Sequence, residues 1–336
     1  MNWLDLATSG RGGRGPFVGV CVVSATFGLA DGIAQGGMVG DLSYMLPEFI
    51  QSFLAGLAAS GAITSCLRML TKGLFDNSQN GLRKGAVLFF AICAIFELLC
   101  VLLYTFVFPK LPIVKFFRLK AASEGSKTVS AGVVAGGIQS HCENVGIDLE
   151  KLGRLSNKQL LIENIDYAMD MFLIYLLTLS IFPGFLSEDT GSHSLGSWYA
   201  VVLIAMFNVW DLVGRYIPLL EGAKMESRKG LVIAVFARFL LIPAFYFTAK
   251  YADQGWMIVL TSFLGLSGGY LTVCILTSAP KGYTARFLCH RTHVRASQLA
   301  LGPEQNALGN ILVSFLMGGI FVGVTSDWLW LIGKGW

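Results

Sequence analysis

The feature that most constrains this chain is a succession of long apolar windows. Eight stretches carry them, roughly 16–39, 46–70, 85–108, 164–187, 196–220, 230–251, 255–279 and 303–332. Each is close to the length at which a helix rising about 1.5 Å per residue crosses a hydrocarbon layer about 30 Å thick. Inside lipid, backbone N–H and C=O groups must find partners within the protein, so such windows fold as helices. The rest of the composition agrees: 54% of the 336 residues are hydrophobic and only 14% are charged, whereas soluble domains run to about a quarter charged. The expected fold class is an all-α polytopic membrane protein.

A polar stretch from Pro109 to Glu163 divides the windows into three before it and five after it. Lysines and arginines are more than twice as frequent in the loops on the side of this stretch as in the loops on the other. The positive-inside rule then makes it a large cytoplasmic loop and puts both chain ends outside. The tail "DWLWLIGKGW" has the Trp content of a membrane–water boundary. The formal net charge of +4 does not point to nucleic acid, because no basic face interleaved with aromatics accompanies it. The seven cysteines contain no CxxC, so neither a disulfide framework nor a zinc site is expected. "CHRTH" at Cys289–His293 is half a metal motif without its second half, and no metal or cofactor is expected. No nucleophile elbow, phosphate-binding loop or HExxH is present, which leaves an enzyme without a constellation to rest on.

The fifth window holds "FNVWDLVGRYIP", Phe207 to Pro218. A charged residue at the centre of a membrane helix costs about 2.5–3.5 kcal/mol on insertion scales. Here Asn208, Asp211 and Arg215 fall at i, i+3 and i+7, which places them on one helical face. Asp211 and Arg215 can pair across one turn. The face is either a structural ion pair that sets helix register or the lining of a polar substrate cavity, and the second reading is favoured because intramembrane charges face bundle interiors and pathways.

The first window, "FGLADGIAQGGMVGD", repeats glycine at 28, 32, 36 and 40. That smooth face is expected to receive a neighbouring helix closely. Asp31 and Gln35 form a stripe beside it, and they are open to two readings, helix packing or contact with a polar substrate. In the sixth window Arg238 is expected to snorkel toward the basic pair Arg228–Lys229, with a gating role as the alternative, and Pro243 to kink the helix. Asp166 and Asp170 in "NIDYAMD" are expected to sit at a helix N-terminus, where the dipole favours carboxylates.

Several of these segments together resemble equilibrative nucleoside transporters, and the wording is closest to plant members. "FNVWDLVGRYIP" is similar to the family's eighth membrane helix, "FGLADGIAQGG" to its fourth, "SFLAGLAASG" to its fifth, "IFPGF" to the end of its seventh and "RFLLIP" to its ninth. "LGLSGGYLTVCILTSAPK" resembles the tenth and "GPEQNALGNILVSFLMGGIFVGV" the last. The resemblance implies a major-facilitator-like fold of eleven helices around a central cavity, and transport of nucleosides rather than an enzymatic reaction. It implies that Gln35 contacts the nucleobase while Asp211 and Arg215 hold the ribose hydroxyls with Asn208 beside them. It also implies proton coupling as an option, with Asp31 and Asp211 as the first carboxylates to suspect and Arg238 as a coupling or gating residue.

The resemblance places the chain on helices four to eleven, so the first three would be absent. The expected division is 1–108, the remnant of an N-terminal bundle with three helices; 109–163, the cytoplasmic loop; and 164–336, a C-terminal bundle with five. Two departures stand out. Gly268 occupies a position where the family pattern has Asn, and the segment 285–301 reads as a retained intron or gene-model insertion. The expected partners are a nucleoside, the lipid bilayer and protons, with no nucleic acid. The expected location is the plasma membrane, with the vacuolar membrane as the alternative. A non-transporting, truncated or mis-spliced fragment is the competing functional reading.

Overall fold

The computed structural model of the chain describes residues 13–43, 47–76, 80–116, 156–184, 194–220, 222–251, 253–279 and 303–327. The segments 117–155 and 285–301 and the Trp-rich tail lie outside the described residues. The described residues include ten α-helices, given with their bounds, and no strand. They are α1 (Arg14–Ser43), α2 (Pro47–Phe75), α3 (Gly81–Leu102), α4 (Asn157–Glu163), α5 (Ile165–Ile181), α6 (Tyr199–Tyr216), α7 (Arg228–Arg238), α8 (Leu241–Tyr251), α9 (Gln254–Ser278) and α10 (Pro303–Asp327).

Seven described segments are long and apolar enough to cross a membrane: Arg14–Val39, Phe49–Phe75, Gly81–Lys110, Gly196–Leu219, Arg228–Tyr251, Gln254–Ser278 and Ala307–Asp327. The chain is thus an integral, multi-pass membrane protein. The window expected over 164–187 appears as α5, whose 17 residues span about 25 Å at the α-helical rise. Phe182 ends it in an extended conformation just before Pro183, as the residue preceding a proline prefers.

The window expected over 230–251 is two helices in line. α7 ends at Arg238 and α8 begins at Leu241, with 3₁₀-type bonds from Leu240 N to Ala237 O at 3.2 Å and from Ile242 N to Phe239 O at 3.1 Å across the break. Pro243 stands in the first turn of α8, where its missing N–H leaves no ladder bond unmade. The kink assigned to Pro243 therefore lies just ahead of it.

α9 is the centre of the bundle. It packs against α6, and also against α2, α5, α7 and α8. Its side chains are buried along most of its length, including Leu264, Leu271, Val273, Cys274 and Ile275. α5 pairs mainly with α10, and Met171, Ile174, Leu308, Leu312 and Leu316 close that seam. By contrast, α1 and α3 turn large apolar side chains outward, among them Phe17, Ile33, Ile95 and Leu98. On a soluble protein that would be an unsatisfied surface; in a membrane protein such a face suits lipid or a further apolar helix.

Both tight seams are built on glycine pairs four residues apart. A Cβ at Gly265 or Gly269 of α9 would overlap the carbonyl oxygen of Phe207 or of Asp211 on α6. From the other side, a Cβ at Gly214 would overlap the carbonyl oxygen of Leu266. Gly319 and Gly323 of α10 play the same part against α5, where the carbonyl oxygens of Phe172 and Leu176 approach them. Dispersion and close backbone contact drive helix association in lipid, so these pairs set where the helices touch.

The glycine ladder of α1 behaves otherwise. Cβ atoms at Gly28 and Gly36 would meet nothing within 4 Å, and one at Gly32 would reach only Met317 Sδ at 4.0 Å. The expected close helix contact is corrected for Gly28, Gly32 and Gly36: α1 rests on α10 and, more lightly, on α2, without using these three glycines for backbone approach.

Candidate functional site

The site grows from α6. This helix runs 18 residues and carries all its strongly polar side chains on one face, so a single rotation about its axis aims them together. The Gly214–Gly265–Gly269 contact fixes that rotation by pressing the α6 backbone onto α9. With the backbone seated, Asp211 and Arg215 form the expected pair. Arg215 Nε donates to Asp211 Oδ2 at 3.0 Å, and Nη2 lies 3.0 Å from the same oxygen. Arg215 Nη1 donates to the carbonyl oxygen of Leu54 on α2 at 2.8 Å. The side chains are 10% and 13% exposed for Arg215 and Asp211, so each charge is held by the other and by backbone rather than by water.

Asn208 lies one turn earlier and donates from Nδ2 to Ser65 Oγ of α2 at 2.7 Å. Its Oδ1 would be only 2.9 Å from a Cβ at Gly61, so a residue with no side chain there gives the amide room. Ser65 Oγ in turn donates to the Gly61 carbonyl at 2.9 Å. The polar face of α6 is thereby buttressed at two heights by α2.

Arg238 does not snorkel. It is 4% exposed, and its guanidinium points into the bundle between α5, α7 and α9. Nε donates to Ser267 Oγ at 3.0 Å, while Nη2 donates to Thr178 Oγ1 at 3.1 Å and to the Leu264 carbonyl at 3.2 Å. Nη1 is buried and has no partner. Arg238 is near enough to Asp211 to act on it electrostatically, and the Tyr175 ring of α5 lies beside Arg215 and within reach of Arg238. Four helices thus contribute to one polar layer: Tyr175 from α5, Asn208, Asp211 and Arg215 from α6, Arg238 from α7, and Ser267 from α9. Two guanidinium groups and one carboxylate make its formal charge positive.

The structure brings Asn208, Asp211, Arg215 and Arg238 together. Gln35 and Asp31 stand on α1, where Gln35 Nε2 donates to Asp31 Oδ2 at 2.8 Å. Asp166 is in the first turn of α5, as expected, and its Oδ2 faces Arg228 Nη1 at 3.4 Å. Asp170 is a correction: it stands a turn deeper and is buried at 2% exposure, out of reach of simple stabilisation at the helix end. Ser65, Tyr175, Thr178 and Ser267 were invisible as site residues, since single hydroxyls in apolar helices are common. The Gly265–Gly269 spacing was the one readable signal, because small residues four apart mark a helix seam. Among the described residues, no group of three His, Cys, Asp or Glu side chains could hold a metal ion.

Comparison with known proteins now bears on this layer. The family described as "Nucleoside transporter" matches residues 19–332. Equilibrative nucleotide transporter 3 of Arabidopsis thaliana is 63% identical over 331 residues, covering 98% of this chain and 75% of that protein. Equilibrative nucleotide transporter 5 of the same plant is 60% identical over 331 residues, with coverage of 98% and 75%. Equilibrative nucleotide transporter 1 is 31% identical over 329 residues, covering 96% of this chain and 66% of that protein. Such likeness along nearly the whole chain makes this a membrane carrier and not an enzyme: the chain belongs to the nucleoside transporter family.

Proposed function

We propose that the chain moves nucleosides across the plasma membrane through a central polar cavity walled by the Asn208–Asp211–Arg215 face of α6. The reading carries three expectations about organisation with it: helices of residues 1–108 form one wall, 109–163 is a cytoplasmic loop, and the helices of 164–336 form the other wall. The observation that carries the proposal is the Asp211–Arg215 pair, held at 3.0 Å with Arg238 near it among apolar helices.

The chemistry suits a ribose. Its vicinal hydroxyls can each donate and accept, while a carboxylate only accepts and a guanidinium only donates. One hydroxyl donating to Asp211 while its neighbour accepts from Arg215 replaces part of the contact that the two side chains make with each other. Asn208, with a donor and an acceptor of its own, stands on the same face. Gln35 is the base contact in this reading: when it leaves Asp31, its amide offers one donor group and one acceptor to a nucleobase edge. A dry site built to satisfy hydroxyls discriminates strongly against substrates that lack them.

Uptake of labelled uridine and adenosine into cells expressing the chain tests the reading, with unlabelled 2′-deoxy and 3′-deoxy analogues as competitors. Saturable uptake that Asp211→Asn and Arg215→Gln abolish, and that the deoxy analogues compete for poorly, is the expected result. Uptake that survives both substitutions refutes the assignment.

A further inference from the structure

Asp170 is a deeply buried carboxyl for which the described residues supply no counter-charge. It lies in the second turn of α5, is 2% exposed, and its Oδ2 is buried without a hydrogen-bond partner. Three other carboxylates on the same helices and their neighbours have partners: Asp211 with Arg215, Asp31 with Gln35, and Asp166 through Oδ2 with Arg228. An ionised carboxylate taken out of water with neither counter-charge nor donor is so unfavourable that the group takes up a proton instead.

The neighbours do not supply the missing charge. On its own helix the nearest acid is Asp166, a like charge one turn toward the loop side. From α7, Arg228 is spent on Asp166, on the Glu163 carbonyl at 3.2 Å, on Asn164 at 3.4 Å and on the face of Tyr167. Lys229 is exposed, and Arg238 is bonded to Thr178, about two turns further along α5. From α9 come only Tyr270, whose hydroxyl donates to the Ala223 carbonyl at 2.7 Å, and the buried Cys274. On α4, Lys158 and Glu163 are exposed. From Ala307 to Ser326, α10 carries no titratable side chain.

We propose that Asp170 is a proton-binding site of the transporter, loaded while α5 is packed as here and emptied when a change of conformation admits water to it. Asp166 stands one turn nearer the end of the helix. Its side chain is 29% exposed through the edge that faces Arg228, its Oδ1 is itself buried without a partner, and it lies at i−4 on the same face of α5. When water reaches it, Asp170 takes a proton from water and becomes the neutral acid; on the return step the carboxylate forms and the proton goes back to water. The site's place in a transport cycle rests on the transport reading above; its occupancy by a proton does not.

Two measurements on the full chain reconstituted in lipid vesicles test this. The first is an infrared difference spectrum between alkaline and neutral buffer. A band of a protonated carboxyl at neutral pH, lost in Asp170→Asn and in Asp170→Leu but kept in Asp166→Asn and Asp211→Asn, is the expected result. A band that both Asp170 variants retain, or its absence from the wild type, overturns the proposal. The second is uptake of labelled uridine with and without an inward proton gradient. The gradient is expected to raise wild-type uptake severalfold and to have no effect on Asp170→Asn, which keeps gradient-free exchange because the amide mimics the neutral acid. A gradient effect undiminished in Asp170→Asn overturns coupling through this residue. A wild type with the band and no uptake at any pH refutes the transport reading while the proton site stands.

Discussion

Gly269 of α9 faces the backbone of Asp211 on α6 so closely that a Cβ there would overlap the Asp211 carbonyl oxygen and come within 2.8 Å of Asp211 Oδ1. The residue that seats the two helices therefore also seats the charged pair. Gly269→Ala is expected to cost about 1–3 kcal/mol or more, the usual toll of overpacking, because the obstacle is backbone and cannot move alone. Gly265→Ala is expected to behave the same way, while Gly36→Ala, with nothing within 4 Å, leaves stability unchanged. Thermal unfolding of the purified protein in detergent checks all three; an unaffected Gly269→Ala contradicts the seam described here.

Gly268→Ala is expected to be milder than Gly269→Ala. Its Cβ would meet Arg238 Nη2 at 3.2 Å, and the end of a long side chain yields where a carbonyl does not. The strain falls instead on the Arg238 bonds to Thr178 and Leu264. Unfolding temperatures should therefore rank wild type, Gly268→Ala, Gly269→Ala in falling order, and the reverse order for the two variants argues against the placement of Arg238.

Breaking a buried ion pair by removing one partner costs about 3–5 kcal/mol, since the other charge is left stranded. Asp211→Asn and Arg215→Met should each approach that loss, and the double variant should lose much less than their sum. Arg215→Lys should also be poorly tolerated, because an ammonium cannot hold Asp211 Oδ2 and the Leu54 carbonyl in the fork that the guanidinium provides. A double-mutant cycle on unfolding free energies measures the coupling, and additive losses rule out a pair that acts as a unit.

Asn208 and Ser65 share one hydrogen bond between α6 and α2 at 2.7 Å. Asn208→Ala and Ser65→Ala are each expected to cost about 0.5–1.5 kcal/mol, with the double variant close to either single one. Gly61→Ala presses on the same amide from 2.9 Å and should weaken the contact further. Cross-linking of cysteines introduced on α2 and α6 reports whether the two helices separate.

The Arg228–Asp166 pair is partly exposed, at 47% and 29%. Removing it through Arg228→Gln is expected to cost about 1 kcal/mol or less, and less still in high salt. Unfolding at two salt concentrations checks this, and a large salt-independent loss would mean that the stacking of Arg228 on Tyr167 matters more than its charge.

The kind of element was legible without coordinates, because a bilayer leaves a long apolar segment one way to satisfy its backbone; the count was not, since the window over 230–251 breaks into two helices and a short one precedes α5. The polar face of α6 was legible too: the spacing of Asn208, Asp211 and Arg215 is a property of one helix, and a helix turns by a set amount per residue. What lies across from a helix is not local, and there only the tertiary structure could decide. It chose Gly265 and Gly269 over the more regular glycine ladder of α1 as the close seam, because a neighbouring backbone has to arrive for a missing side chain to matter. It turned Arg238 inward to Ser267 and Thr178 instead of out to the basic cluster, since hydroxyls on α5 and α9 stood within reach. It buried Asp170 with no partner at all. The sequence by itself determined the solvent, the helices and the chemistry of each face; the packing of α5, α6, α7 and α9 decided which charges met, because pairing in lipid depends on distances between segments far apart in the chain.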